Sequence, residues 1–159
     1  MKTMIYAHGS LSESYWRDAS SEYVKRLSRL WPLRITEAPE ERLPSSPSAA
    51  QIEAALEKEG KRFLSAIPPR AYVIALCVEG ESADSPALSR KMEEAASRGA
   101  SEICFVIGSS FGLSPEVKAR ADWKLSLSRL TFPHQLARVM LCEQIYRAAQ
   151  IARGAAYHK

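Results

Sequence analysis

The chain has 159 residues, of which 46% are hydrophobic and 25% charged, the make-up of one globular domain that needs no cross-links to hold its core. Its net charge is +4, but residues 118–159 hold eight Lys and Arg against two acids while residues 1–117 are mildly acidic, a pattern shared by a nucleic-acid-binding segment and by a solvated basic helix face. No apolar run approaches the roughly 18 residues of a spanning helix, so no membrane partner is expected, and Met1–Ser10 has no secretory leader pattern.

Lys2–His8 (KTMIYAH) predicts a short strand ending at Gly9. A helix is predicted from Ser12 to about Leu30, with Trp16, Ala19, Tyr23, Leu27 and Leu30 on one face and the Lys25/Arg29 pair away from it. Leu33–Ala38 is a second strand, and the Pro39–Pro47 stretch (PEERLPSSP) is an exposed loop. Ser48 caps a predicted helix to about Ala66, with Ile52, Leu56, Phe63 and Leu64 inward, and Pro68-Pro69 stops it. Ala71–Val78 (AYVIALCV) and Glu102–Ile107 (EICFVI) are continuous apolar runs that suit strands covered on both faces. Between them Pro86–Arg98 is helical and ends at Gly99. A short helix over Pro115–Ala121, a strand over Trp123–Leu127 and a long helix from Pro133 to about Arg153 follow. Strand and helix alternate throughout, which predicts a single α/β domain over 1–159 with a mostly parallel sheet flanked by helices. The last helix is apolar around most of its circumference between Leu136 and Ile151, and such a terminal helix predicts a subunit interface.

Cys77, Cys104 and Cys142 are odd in number and widely spaced, and the three histidines form no HxxxH pair. Reduced thiols in a cytoplasmic protein, and no metal, are the expectation. In an open α/β sheet, ligands gather at the carboxyl ends of the strands. Three segments arrive there: Leu76–Gly80, Gly108–Gly112 (GSSFG) and Leu127–His134 (LSRLTFPH). The GxxxG spacing is neither a dinucleotide nor a P-loop fingerprint and is equally that of an ordinary turn. With Asp122 and Glu143 as the only acids after residue 117, no paired-carboxylate or metal-assisted chemistry is indicated. Ser126, Ser128, Thr131, Arg129, His134 and Arg138 instead suit a neutral, partly aromatic cofactor beside an anionic polymer.

The C-terminal stretch is more specific. TFPHQ (131–135), then R-V-x-L-x-E-Q-x-Y-R-A (138–148), then a YHK end closely resembles the RlmH family of bacterial SPOUT-class methyltransferases, and VIALCVEG, FVIG and GLS extend the likeness over the full chain. The resemblance implies a C-terminal trefoil knot, S-adenosylmethionine as cofactor, a homodimer, and 23S rRNA as substrate, methylated at N3 of a pseudouridine in the helix 69 loop. A different RNA target such as tRNA, or a non-catalytic ribosome-binding module, is the alternative. By position the resemblance assigns cofactor contacts to Leu76, Gly108, Leu127, Ser128, Arg129, Leu130, Thr131 and Phe132. A base or a cation for the pseudouridine N3 proton is expected among Tyr157, His158 and Lys159 of the tail, with His134 and Arg138 near the knot. A tail this short cannot fold by itself, so it is expected to be ordered by a partner subunit or by RNA. The family's loop carries two successive glycines where this chain has Gly108-Ser109, so a positive φ or a close cofactor approach at Ser109 would be strained. Gly108→Val is expected to block the cofactor and spare the fold.

Overall fold

Strands β1 (Thr3–His8) and β4 (Ile103–Ile107) are buried at every position, because each lies inside the sheet with helices on both faces; β4 and Met4–Ala7 of β1 are continuous apolar runs. The computed structural model describes residues 1–157. Its five strands are all parallel and run β2 (Leu33–Ala38), β1, β4, β3 (Tyr72–Ser82), β5 (Trp123–Ser126) across the sheet. Side chains of period two feed two cores. Ile5, Ala7, Ile103, Phe105 and Ile107 meet Leu27, Met92, Leu141 and Ile145 on one face, and Met4, Tyr6, Cys104 and Val106 meet Phe63 and Val117 on the other. The first face therefore carries α1 (Ser14–Leu27), α3 (Ser85–Ser97) and α5 (His134–Ala152), and the second carries α2 (Ala49–Ala66) and α4 (Pro115–Arg120).

Helix starts follow local chemistry. Ser48 and Gln51 form a reciprocal capping box at α2, and Asp84 and Ser114 cap α3 and α4 by accepting from Ala87 and Val117 main-chain N–H groups. Ser12 does not cap α1. Its main-chain N–H donates to Gln135 Oε1 at 3.0 Å and its hydroxyl accepts from Gln135 Nε2 at 3.1 Å, so the helix begins at Ser14. Gly99 ends α3 with φ +86°, the left-handed turn that glycine adopts without strain. Pro133 stands at the N-cap of α5, one residue before the first helical turn in which it was expected. On α2 the fully buried positions are Ala55, Glu59, Gly60 and Phe63, whereas Ile52, Leu56 and Leu64 are only partly covered. The buried face is turned toward small residues because α2 closes on the segment leading into α4: a Cβ on Gly60 would stand 2.4 Å from Ser114 Oγ.

Two departures from sequence expectation shape the functional end of the sheet. β3 runs to Ser82, past the apolar run that ends at Val78, because Glu81 and Ser82 return to pair with Leu125 and Ser126 after Leu76 has already paired with Leu125. Residues 77–80 bulge outward between the two pairings. Gly80 crosses so close to β5 that a Cβ there would lie 2.6 Å from the Leu125 carbonyl carbon. Helix α5 is wedged between α1 and α3, with Leu141, Cys142, Ile145, Ala148 and Ala149 in the protein's own core. Most of its apolar circumference is thus covered within one chain, so α1 and α3 already account for much of the pattern from which a subunit interface is expected.

Candidate functional site

β3 and β4 are neighbours whose chains leave toward opposite faces, β3 to α3 and β4 to α4. Such a divergence opens a crevice at the carboxyl ends of the strands. A cavity of about 430 Å³ lies there, bounded by Leu76 and the 77–79 bulge, Gly108, Ser110–Leu113, Leu125–Ser128, Leu130–Phe132 and the first turn of α5. That volume is within the roughly 300–1,000 Å³ of small-molecule sites. All three segments gathered from the sequence line this one cavity. A second cavity, of about 440 Å³, opens at the opposite end of the sheet among Arg70, Lys91, Arg98 and Arg120. It is polar, and three of its cations are already committed, Arg70 to the Gly99 carbonyl, Arg98 to Glu94 and Arg120 to Asp122.

The walls are shaped by hydrogen bonds made inside the loops. Ser126 Oγ donates to the Ser128 carbonyl at 2.9 Å, and Ser128 Oγ accepts from the Leu130 N–H at 3.0 Å, which ends β5 one residue early and curls the chain around the cavity. Opposite, the Gly112 N–H donates to the Ser109 carbonyl at 2.9 Å and closes a tight turn. Gly112 holds φ +89°, and nothing lies within 4 Å of where its Cβ would stand, so main chain is open at this wall. At Gly108 the need for glycine is steric: a Cβ would lie 2.3 Å from the Gly112 carbonyl oxygen. Gly108→Val would therefore break the turn itself, which corrects the expectation that it spares the fold. Ser109 has no positive φ, and its hydroxyl donates to Glu59 Oε2 at 2.8 Å, so the expected strain at this position does not arise.

Seven of the eight residues that the resemblance assigns to a cofactor, namely Leu76, Gly108, Leu127, Ser128, Leu130, Thr131 and Phe132, line the cavity; Arg129 does not, and is exposed with no ion-pair partner among the described residues. His134 lines the cavity from the first position of α5. Arg138 does not reach it. Its side chain is 2% exposed, paired with Glu37 at the end of β2, and donates to the Gly9 carbonyl at 2.9 Å. Together with Gln135 on Ser12, it anchors the start of α5 to the chain leaving β1. Tyr157 sits beyond the far end of α5, edge-on to Tyr146 at 4.9 Å and under the Arg147 guanidinium at 4.8 Å, with its hydroxyl donating to Glu143 Oε1 at 3.3 Å. Tyr157 is thus held by its own helix, which corrects the expectation that only a partner or RNA could order it. His158 and Lys159 lie outside the described residues.

Three features of the site had no signal in the sequence. Val78, Phe111 and Leu130, which are 85%, 47% and 73% exposed, form an apolar rim at the cavity mouth. Lys118 of α4 pairs with Glu79 of the bulge at 2.5 Å, and this hydrogen bond holds the Glu79 carboxyl below its ordinary range. Cys77 faces the cavity as a thiol, since burial pushes its pKa up. Among the described residues no helix is long and apolar enough to cross a membrane, and no three His, Cys, Asp or Glu side chains gather as a metal site.

Residues 1–158 match the family described as "Predicted SPOUT methyltransferase". The chain is 46% identical over 159 residues, covering all of both sequences, to proteins named "Ribosomal RNA large subunit methyltransferase H" from Streptococcus thermophilus strains CNRZ 1066 and LMG 18311. A structure titled as a probable methylase family protein from Haemophilus influenzae Rd KW20 superposes with a TM-score of 0.51 at 12% identity, over 99% of this chain and 70% of that one, a likeness of fold alone. The chain is a methyltransferase of the SPOUT family, in the group of ribosomal RNA large subunit methyltransferase H.

Proposed function

We propose that this methyltransferase acts as a cytoplasmic homodimer of one 159-residue domain and methylates N3 of a pseudouridine in a hairpin loop of 23S ribosomal RNA, with S-adenosylmethionine as donor. The observation that carries this reading is the 46% identity, end to end, to proteins named for ribosomal RNA methylation. The cavity residues fit the cofactor: Leu76, Leu127 and Phe132 offer apolar walls for a purine, hydroxyls of Ser128 and Thr131 are close by, and Gly112 leaves main chain approachable. When bound, S-adenosylmethionine supplies an electrophilic methyl group on a sulfonium.

The protein's own part is to bind, orient and manage one proton. Holding two reactants in line is the larger contribution, worth up to about 7–11 kcal/mol of barrier in well-oriented systems. The N3–H of a pseudouridine is a weak acid, so its proton leaves as N3 attacks. His134 lines the cavity, where a ring nitrogen can accept that proton. His158 of the tail carries the same chemistry, Tyr157 a stacking surface and Lys159 a phosphate contact. Helix α5 spans 19 residues, roughly 28 Å at 1.5 Å per residue, between His134 at the cavity and the tail. A tail that served catalysis would therefore act in the cavity of a second protomer, which is the physical support for the dimer. Arg129 and Lys124 are exposed cations beside the apolar rim and are assigned to RNA phosphates. The knotted passage of the C-terminal segment belongs to the same reading, supported by the close crossing of Gly80 over Leu125.

Mass mapping of 23S rRNA from a strain lacking this protein tests the proposal. Loss of one methyl group from a hairpin-loop pseudouridine, restored by the wild-type gene, is expected. An unchanged 23S map, or a methyl lost from tRNA instead, would overturn it.

A further inference from the structure

Helix α2 grips the turn that forms one wall of the cavity at two points. Glu59 is 3% exposed, and its carboxylate accepts from Ser109 Oγ through Oε2 and from the Glu41 main-chain N–H through Oε1, both at 2.8 Å. Among the described residues it has no ion-pair partner, so these two bonds are what compensates its burial. One residue on, Gly60 lies against Ser114, which stands two residues past the turn and caps α4. The turn between these grips is thin. Ser110 and Phe111 border the cavity of about 430 Å³ on one side and another of about 330 Å³ on the other, beneath the Glu40–Pro44 loop. A strip of chain with space on both sides has little packing to fix it, and its position is set by the anchors at its ends.

We propose that Glu59 is a positioning residue for methyl transfer: through Ser109 it presets the Ser109–Gly112 turn for the cofactor, and through Glu41 it ties that turn to the proline-rich loop after β2. The inference rests on the cofactor reading above. A preset wall lowers the ordering cost of binding, so loosening it weakens cofactor affinity ahead of RNA affinity.

Full-length S109A, E59A and E59Q are compared by calorimetric titration with S-adenosylmethionine and by amide hydrogen exchange across Ser110–Leu113 without ligand. S109A and E59A are each expected to raise the cofactor Kd about tenfold, or ~1.4 kcal/mol, and to speed exchange at the turn about tenfold. The S109A/E59A double variant is expected to be no weaker than the weaker single one. E59Q keeps shape and both bonds once the Ser109 hydroxyl turns to accept, so it is expected to stay within about threefold of wild type. The KM for RNA is expected to stay unchanged in all of them. If S109A folds and leaves both Kd and exchange within about twofold, the inference is overturned, even where E59A fails to fold. If wild-type protein takes up no S-adenosylmethionine, the cofactor reading falls and takes the cofactor part of this inference with it. Faster exchange in S109A would then uphold the Glu59 latch on the turn alone.

Discussion

Arg138 illustrates how one side chain changes meaning between sequence and structure. As a cation in the C-terminal motif it suits a phosphate; in the fold it is buried against Glu37 and the Gly9 carbonyl, and its Nε has no partner among the described residues. Arg138→Ala removes a buried guanidinium and frees Glu37, which is half-exposed and regains water. The expected loss is about 3 kcal/mol, the low end for a broken buried pair, read by urea unfolding, and Arg138→Lys is expected to recover little because an ammonium cannot reproduce the two-sided contact. Burial also decides the thiols. Cys104 and Cys142 are each pushed from 9.0 up to about 12. Their folded values lie above the unfolded one, so their contribution to stability is whole below pH 9 and drains away as pH rises from 9 toward 12. Native protein at pH 8 is expected to leave both unmodified by a thiol reagent; labelling of either at the rate of unfolded chain would contradict the buried assignment.

The cap on α2 was legible because Ser48 acts within three residues of itself, whereas Asp84 and Ser114, which cap α3 and α4 by the same local contact, emerged only with the structure. The bulge in β3 was not, because it is produced by Leu125 pairing with both Leu76 and Glu81, from residues more than forty positions away. Gly80→Ala tests that crossing. Its Cβ would meet main chain, which cannot swing aside, so a loss of about 3 kcal/mol and a fall in melting temperature of about 10 °C are expected. The tail is the other element whose role its neighbours decide. Deleting residues 157–159 removes a side chain that touches Tyr146, Arg147 and Glu143, at the far end of α5 from the cavity. The cofactor Kd is expected to stay within about threefold, under ~0.7 kcal/mol, while methylation of ribosomes falls by orders of magnitude. Near-normal turnover by the truncated protein would move the proton-accepting role to His134.

Whole-molecule assembly can be separated from folding on α5 itself. Ile145 is fully buried between α1 and α3, whereas Met140 on the same helix is half-buried and available to a second protomer. Ile145→Glu is therefore expected to unfold the protein, since an unpaired buried carboxylate costs several kcal/mol. Met140→Glu is expected to fold and to shift light scattering toward monomer at micromolar concentration; a Met140→Glu protein that stays dimeric would place the interface elsewhere. The basic C-terminal quarter is likewise redistributed by the fold: Lys118, Arg120, Arg138 and Arg147 pair with Glu79, Asp122, Glu37 and Glu143. Lys124, Arg129 and Arg153 remain without an ion pair among the described residues, a smaller electrostatic footprint than the raw charge suggests.

Element order, strand positions and the gathering of three loops at one end of a parallel sheet could all be read from the chain. Each depends on local periodicity, on caps that act within one turn, and on the topology that alternating strands and helices impose. The TFPHQ run and the helix after it were equally legible as a family pattern, and the structure supplies the reason for two of its residues: Gln135 and Arg138 fasten α5 to Ser12 and Gly9. Strand order, the doubled pairing at Leu125, the cover over α5 and the Glu59–Ser109 contact were decided only by tertiary structure. They join residues tens to more than a hundred positions apart, and a one-dimensional pattern holds no record of which distant surface will cover an apolar face or which buried carboxylate will meet a given hydroxyl.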